Sequence, residues 1–272
     1  MQVTAALAQA RRSGVDRLDA QLLMAHRLGC TRSWLIAHDD TELEPLVEQA
    51  FWADVQLRAD GVPLAYLVGT REFHGLTLMV TPAVLVPRPE TEHLVDWALE
   101  RLAGITAPFV ADLGTGSGAI ALALARNRPD ARVIASDRDA NALDLAQSNA
   151  RQLSLDLQWA CGDWWAAFAG ERFDLVVSNP PYIAADDPHL QALIHEPLQA
   201  LTPGGDGVLA LSQIIDGAPA RLRSGAWLLL EHGHDQGCRV RTLLEQAGFA
   251  DVETRRDLAG HERCSGGRWP RP

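Results

Sequence analysis

The feature that most restricts this chain is a glycine-rich turn, Val110-Ala111-Asp112-Leu113-Gly114-Thr115-Gly116-Ser117-Gly118. An apolar run over residues 109–113 precedes it, and a helix-forming stretch over 118–127 follows. Glycine allows a sharp turn and a close approach of backbone to ligand. The alternation then continues. Residues 132–136 form a strand pattern and 141–153 a helix pattern, with further strands at 157–161 and 173–178. A helix is expected over 208–222, a strand over 226–230 and a helix over 236–247, before strands at 252–256 and near Trp269. Strands alternating with helices predict an α/β fold built on a parallel, doubly wound, Rossmann-like sheet. Right-handed crossovers would then place the loops that follow the strands on one edge, where ligands bind.

The first 60 residues carry a different period. Val3, Ala6, Leu7 and Ala10 fall at helical spacing, as do Leu18, Leu22, Ala25 and Leu28, and then Leu43, Leu46, Val47, Ala50 and Phe51. Thr41 is the expected cap of the last helix, Pro45 fits only in its first turn, and Gly61 and Pro63 end it. Arg71-Glu72-Phe73 and residues 76–80 flank His74-Gly75, the pattern of a β-hairpin with a tight turn. Val86-Pro87-Arg88-Pro89-Glu90 is held extended by its prolines. The expected organisation is a small helical substrate-docking bundle at 1–62, a β-hairpin connector at 63–87 and a catalytic domain at 88–272.

Composition matters here for what it excludes. No run approaches the roughly 20 apolar residues of a membrane-spanning helix, and the N-terminus lacks the basic-then-apolar order of a signal peptide. Cys30, Cys161, Cys238 and Cys264 stand far apart, giving no metal or dithiol pattern and fitting a reducing cytoplasm. All 24 basic residues are arginine, set against 35 acids for a net charge of −11. The first 80 residues hold 7 arginines and 10 acids, the remainder 17 and 25, so neither part has the basic surplus of a duplex-DNA binder.

Asp137 ends the next predicted strand, 19 residues after Gly118, where a carboxylate can accept both hydroxyls of a ribose. The loop and Asp137 together point to a ribose-containing cofactor. Gly114-x-Gly116-x-x-Ala119 also passes as a relaxed dinucleotide fingerprint. Asp112, two residues before the first glycine, would repel a pyrophosphate and favours S-adenosylmethionine instead. Asp163-Trp164, expected to end the third strand, offers an acceptor for an adenine amino group and an indole to stack on the base.

Asn179-Pro180-Pro181-Tyr182 directly follows the fourth strand. Two prolines cannot continue a ladder, and their fixed φ makes a rigid platform. A planar amide or aniline-like nitrogen is a poor nucleophile because its lone pair is delocalised. The Asn179 side-chain oxygen and the Pro180 carbonyl can accept its two N–H bonds and aim the lone pair at a methyl group. Tyr182 offers an aromatic face for the target group. A hydride-transfer enzyme has no use for this tetrad, so it selects S-adenosylmethionine over a dinucleotide. His74, His189, His195, His232 and His234 lack metal-ligand spacing and are expected to be solvated or core residues.

These segments resemble the HemK family of release-factor glutamine methyltransferases. The match runs through Pro63-Leu64-Ala65-Tyr66-Leu67-x-Gly69, Glu72-Phe73-x-Gly75-Leu76, Val84-Leu85-Val86-Pro87-Arg88-Pro89-Glu90-Thr91-Glu92, the glycine loop, residues 178–183 and Leu230-Glu231-His232-Gly233. The tetrad alone is shared with adenine methyltransferases of DNA; its combination with Pro-Arg-Pro-Glu-Thr-Glu is far more specific. The resemblance implies methylation of the glutamine amide nitrogen in the Gly-Gly-Gln loop of class 1 peptide-chain release factors, by a cytoplasmic monomer with no nucleic-acid contact. It implies that Gly114, Thr115, Gly116, Ser117, Gly118, Asp137, Trp164 and Asn179 bind S-adenosylmethionine, to which the chemistry of Asp163 adds an adenine acceptor. It assigns the substrate glutamine to Asn179, Pro180, Pro181 and Tyr182, and places residues 88–92 near the cofactor. The chain departs from the family after the tetrad, where only Glu196-Pro197 remains of an acidic-Arg-Phe-Glu-Pro pattern. Alternative readings are a ribosomal-protein glutamine methyltransferase, a nucleic-acid adenine methyltransferase, and a cofactor-binding module without activity.

Overall fold

The computed structural model describes residues 1–270. The chain divides into two compact units, Met1–Thr70 and Arg71 onward. The first contains α1 (Val3–Arg12), α2 (Arg17–Leu28), α3 (Arg32–Ala37), α4 (Pro45–Ala59) and the short α5 (Leu64–Val68). Local chemistry sets several of these ends. The Asp16 carboxylate accepts from Leu18 N–H to start α2, and Gly29, at φ +63°, stops it. Thr31 caps α3 through Trp34 N–H. Pro45 opens α4 behind Glu44, so Thr41 is not its cap: proline's fixed φ and missing N–H already suit the first helical position. The core joins Val3, Ala6, Ala10, Leu23, Met24, Leu35, Phe51 and Val55, each buried side chain larger than alanine contributing about 1.5–3 kcal/mol.

Two expectations about this unit change. α2 buries Ala20, Leu23, Met24 and Ala25, while Leu18 is largely exposed and Leu22 and Leu28 are half-buried. The sequence of α2 offers two overlapping apolar stripes, and packing against α1 and α4 selects one. α5, expected in the connector, contributes Leu64, Leu67 and Val68 to the bundle's core instead. Buried Asp54 of α4 accepts twice from Arg27 of α2, at 2.5 and 2.6 Å, a fork pairing that fixes the two helices in register.

The second unit opens with β1 (Thr70–Phe73) and β2 (Leu76–Met79). His74 and Gly75 between them both take positive φ, 49° and 76°, which matches the twist of a tight hairpin. Then follow α6 (Glu92–Leu102), β3 (Phe109–Leu113), α7 (Ala119–Asn127), β4 (Arg132–Asp137), α8 (Ala140–Leu153), β5 (Gln158–Cys161) and β6 (Phe173–Ser178). The chain finishes with α9 (Leu198–Leu201), α10 (Leu209–Gly217), β7 (Leu222–Glu231), α11 (Gly237–Gln246), β8 (Ala250–Arg256) and β9 (Glu262–Arg268). The helix expected over 208–222 stops early, because Pro219 lies in a 3₁₀ turn at Ala218–Ala220 and the chain then enters β7.

The sheet order is β5-β4-β3-β6-β7-β9-β8. The first five strands are parallel, and β9 lies antiparallel between β7 and β8, so the sheet is not wholly parallel. Gly266 permits this insertion: a Cβ there would lie 2.6 Å from the Leu228 carbonyl oxygen. Alternate residues of each strand feed opposite layers. Val110, Leu175, Val177 and Leu229 pack with α6 and α7, while Ala111, Val176, Leu228 and Leu230 pack with α10 and α11. Leu113 pairs with Ser136 and Ser178, and Ser178 with Leu230, so these strands end level. That level edge brings Gly114, Asp137, Asn179 and Glu231 together.

Candidate functional site

A cleft with about 950 Å³ of open space lies along this edge. The glycine loop forms one wall, with Gly114, Gly116 and Gly118 at φ +71°, +55° and +85°. Gly114, Thr115, Gly116 and Ser117 line the cleft; Gly118 does not. Gly118 serves packing, since a Cβ there would meet Leu122 at 3.0 Å and Ala146 at 3.2 Å. The loop is braced from below by Asp112, wholly buried, whose Oδ2 accepts from Thr115 Oγ1 at 2.6 Å and Ala121 N–H at 3.2 Å. Its Oδ1 has no partner, and burial pushes the carboxyl up to about 7. Asn149 of α8 ties the loop to the hairpin, donating to the Ser117 and Met79 carbonyls and accepting from Met79 N–H.

Asp137 lines the cleft, and its two oxygens hold backbone: Oδ2 accepts from Gly116 N–H at 2.9 Å and Oδ1 from Asp139 N–H at 3.0 Å. Burial raises its pKa against those stabilising bonds. Each oxygen keeps a further lone pair for a ligand hydroxyl. Asp163 and Trp164 also line the cleft, but β5 ends at Cys161 and the pair starts a 3₁₀ turn, with Trp164 at φ +44°. That backbone brings the indole over the loop: a Cβ on Gly114 would come within 3.2 Å of the ring. The indole N–H donates to Gln213 at 3.2 Å, fixing the ring plane.

The loop distinguishes between the two cofactor classes. A pyrophosphate needs free backbone N–H groups at the helix start. Here Thr115 N–H donates to the Ser136 carbonyl, Gly116 N–H to Asp137 and Gly118 N–H to the Thr115 carbonyl. These three N–H groups are thus committed within the protein, and a carboxylate, an indole face and apolar side chains line the cleft.

Of the tetrad, Asn179 and Pro181 line the cleft, Pro180 is buried, and Tyr182 is half-buried outside the lining residues. Tyr182 is thus not placed as an aromatic wall of the cleft. Its ring packs with the α10 and α11 layer, its carbonyl accepts from Gln236 at 2.9 Å, and its hydroxyl donates to Glu231 at 3.1 Å. Burial and the Glu231 charge raise the phenol's pKa. Asn179 Nδ2 donates to Thr91 Oγ1 at 3.2 Å, and Thr91 Oγ1 donates to Glu231 Oε2 at 2.7 Å. Among the described residues, Asn179 Oδ1 and the Pro180 carbonyl accept no hydrogen bond.

Sequence reasoning assigned no role to Thr91, Glu231 or Glu196, although it quoted the segments that contain them. Glu196 is buried and accepts from Val86 N–H at 3.0 Å and from Arg88, clamping the Pro-Arg-Pro segment beside the cleft. Their partners lie 49 to 140 residues away in the chain, where no local pattern reveals them.

Residues 1–69 match the family described as PrmC N-terminal domain, and residues 95–224 that described as Methyltransferase small domain. A release factor glutamine methyltransferase of Xylella fastidiosa is 51% identical over 268 residues, covering 97% of this chain and 98% of that protein. The protein so named in Escherichia coli K12 is 45% identical, covering 97% and 96%. Among solved structures, the Thermus thermophilus 16S rRNA N2 G1207 methyltransferase in complex with AdoMet and guanosine shares the fold. It has a TM-score of 0.54 and 23% identity, over 73% of this chain and 49% of that one.

Proposed function

We infer the working of this site from one premise: the chain belongs to the release factor glutamine methyltransferases, and is a protein-glutamine methyltransferase. The finer reading is that it takes S-adenosylmethionine and modifies the glutamine amide of a Gly-Gly-Gln motif in class 1 release factors. S-adenosylmethionine, when bound, supplies an electrophilic methyl group on a sulfonium. Asp137 would hold the ribose hydroxyls, Asp163 and Trp164 the adenine, and the loop residues 114–117 the rest of the cofactor. Asn179 and Pro180 present two acceptors to the amide N–H bonds. They fix the nitrogen's orientation and stabilise the positive charge that develops on it. Pro181 keeps this platform rigid.

One observation carries the reading: Asn179, which lines the cleft, commits its NH₂ to Thr91 and leaves Oδ1 without a hydrogen bond among the described residues. The net charge of −11 supports a protein rather than a nucleic-acid substrate. The first unit is read as the docking domain, and the enzyme as a monomer working in the cytoplasm, where translation ends.

The test is transfer of labelled methyl from S-adenosylmethionine to a purified class 1 release factor, with a ribosomal protein and DNA in parallel. Label on the Gly-Gly-Gln glutamine, transferred about a hundredfold to a thousandfold more slowly by the Asn179→Ala variant, is expected. Label confined to the ribosomal protein or to DNA would overturn the reading.

A further inference from the structure

We propose that Thr91 and Glu231 are positioning residues: their hydrogen-bond relay locks the Asn179 amide so that its oxygen, not its nitrogen, faces the substrate. The inference rests on the role given above to Asn179.

An asparagine amide is nearly symmetric in shape, and the two flip states differ only in which polar atom faces each way. A flipped Asn179 would present N–H donors to the substrate's N–H donors and could not hold it. Something must therefore select the state. Thr91 has one hydroxyl proton, and the 2.7 Å bond to Glu231 Oε2 commits it. The Thr91 oxygen can then only accept toward Asn179, and it does so from Nδ2 at 3.2 Å. Flipping Asn179 would set its oxygen against another acceptor.

Glu231 keeps the relay in one direction. It is 1% exposed, and its other oxygen accepts from Tyr182. Burial pushes its carboxyl up, while the Thr91 and Tyr182 hydroxyls and the Arg263 charge oppose that shift; the relay direction rests on the geometry, in which each carboxylate oxygen accepts from one hydroxyl. A buried network with every proton assigned is stiff, because any reversal leaves an unpaired polar group. Thr91 itself is 4% exposed yet borders the cleft, so it sits between the hidden anchor and the working amide.

A plain alternative is that Thr91 only satisfies Glu231 and steadies the start of α6. The two roles separate in a double-mutant cycle. Thr91→Val keeps the shape and removes the relay hydroxyl; Thr91→Ser keeps the hydroxyl. Methyl transfer is measured at saturating cofactor and substrate, and cofactor affinity by calorimetry.

If Thr91 acts through Asn179, Thr91→Val lowers turnover about tenfold to a hundredfold, and in an Asn179→Ala background it adds no more than about twofold. Cofactor affinity stays within about twofold of wild type, and Thr91→Ser recovers turnover to within about threefold. Unchanged turnover in Thr91→Val, equal impairment in Thr91→Ser, or losses that multiply with Asn179→Ala would each overturn the proposal.

Should Thr91→Val not fold, Glu231→Gln carries the same cycle. Its amide can donate to Thr91, which removes the selection of the flip state, and the same non-additivity with Asn179→Ala is expected. Failure of the functional reading shows separately, in the substrate that wild-type enzyme modifies. The relay is then scored on whichever substrate accepts the methyl.

Discussion

The hydroxyl of Tyr182 donates to the buried carboxylate of Glu231 at 3.1 Å, joining the end of the tetrad to the end of β7. The tyrosine in this motif is thereby tied to the sheet rather than displayed in the cleft. It shares the Glu231 carboxylate with Thr91 as acceptor.

Replacing Tyr182 by phenylalanine removes one of the two hydroxyl donors to Glu231. A buried charged acceptor left short of a partner costs about 1–3 kcal/mol. Urea unfolding of Tyr182→Phe should show a loss of that size, with cofactor affinity retained and a smaller fall in turnover than Asn179→Ala gives. Stability equal to wild type would mean that Glu231 does not depend on this bond.

Asp137 has two duties in the structure, toward the cleft and toward the Gly116 and Asp139 N–H groups. Asp137→Ala should therefore weaken S-adenosylmethionine binding beyond the tenfold to hundredfold, roughly, of lost charge-assisted bonds, and lower the melting temperature as well. Asp137→Asn keeps one good acceptor for the loop and should be milder on both counts. Calorimetry and thermal melts measure the two effects. Equal affinity in wild type and Asp137→Ala would remove this residue from the cofactor site.

Asp112 makes stability depend on pH in an unusual direction. Its carboxyl is raised from 3.8 to about 7 by burial. Between those values the folded protein binds a proton that the unfolded chain has released, so this contribution is fully present below 3.8 and is lost as pH rises through about 7. Asp112→Asn cannot ionise. Its melting temperature relative to wild type should rise from pH 5 to about pH 7 and level off above that. A difference that stays flat over that range would show that Asp112 is ionised throughout.

The docking role of the first unit is tested by deletion. A chain starting at Gly69 omits α5, which belongs to the bundle's core, and keeps β1 whole. It should bind S-adenosylmethionine, lose most transfer to an intact release factor, and keep weak transfer to a short Gly-Gly-Gln peptide. Remote contacts supply selectivity that a lone glutamine cannot. Full-rate modification of the intact factor would refute the docking role.

The α/β alternation, the glycine turn and the rigid tetrad were legible in the sequence because each is a local property. Glycines at Gly114, Gly116 and Gly118 adopt positive φ by their own permissiveness, and prolines at 180 and 181 end a strand by lacking N–H groups. Asp137 closes β4, two residues beyond the apolar run Val133-Ile134-Ala135. Family membership followed from the same short motifs.

Tertiary structure decided what those motifs touch. β9 slots antiparallel beside β7 because Gly266 admits the Leu228 carbonyl, a steric fact with no periodic signature. The helical period of α2 allowed either of two stripes, and packing chose the one through Leu23 and Met24. Glu231 reads in sequence only as a polar residue after an apolar run. Its meaning comes from Thr91, 140 residues earlier, and Tyr182, 49 earlier. Hydrogen bonds between distant segments depend on where a fold places its strand ends, and one-dimensional spacing does not encode that placement.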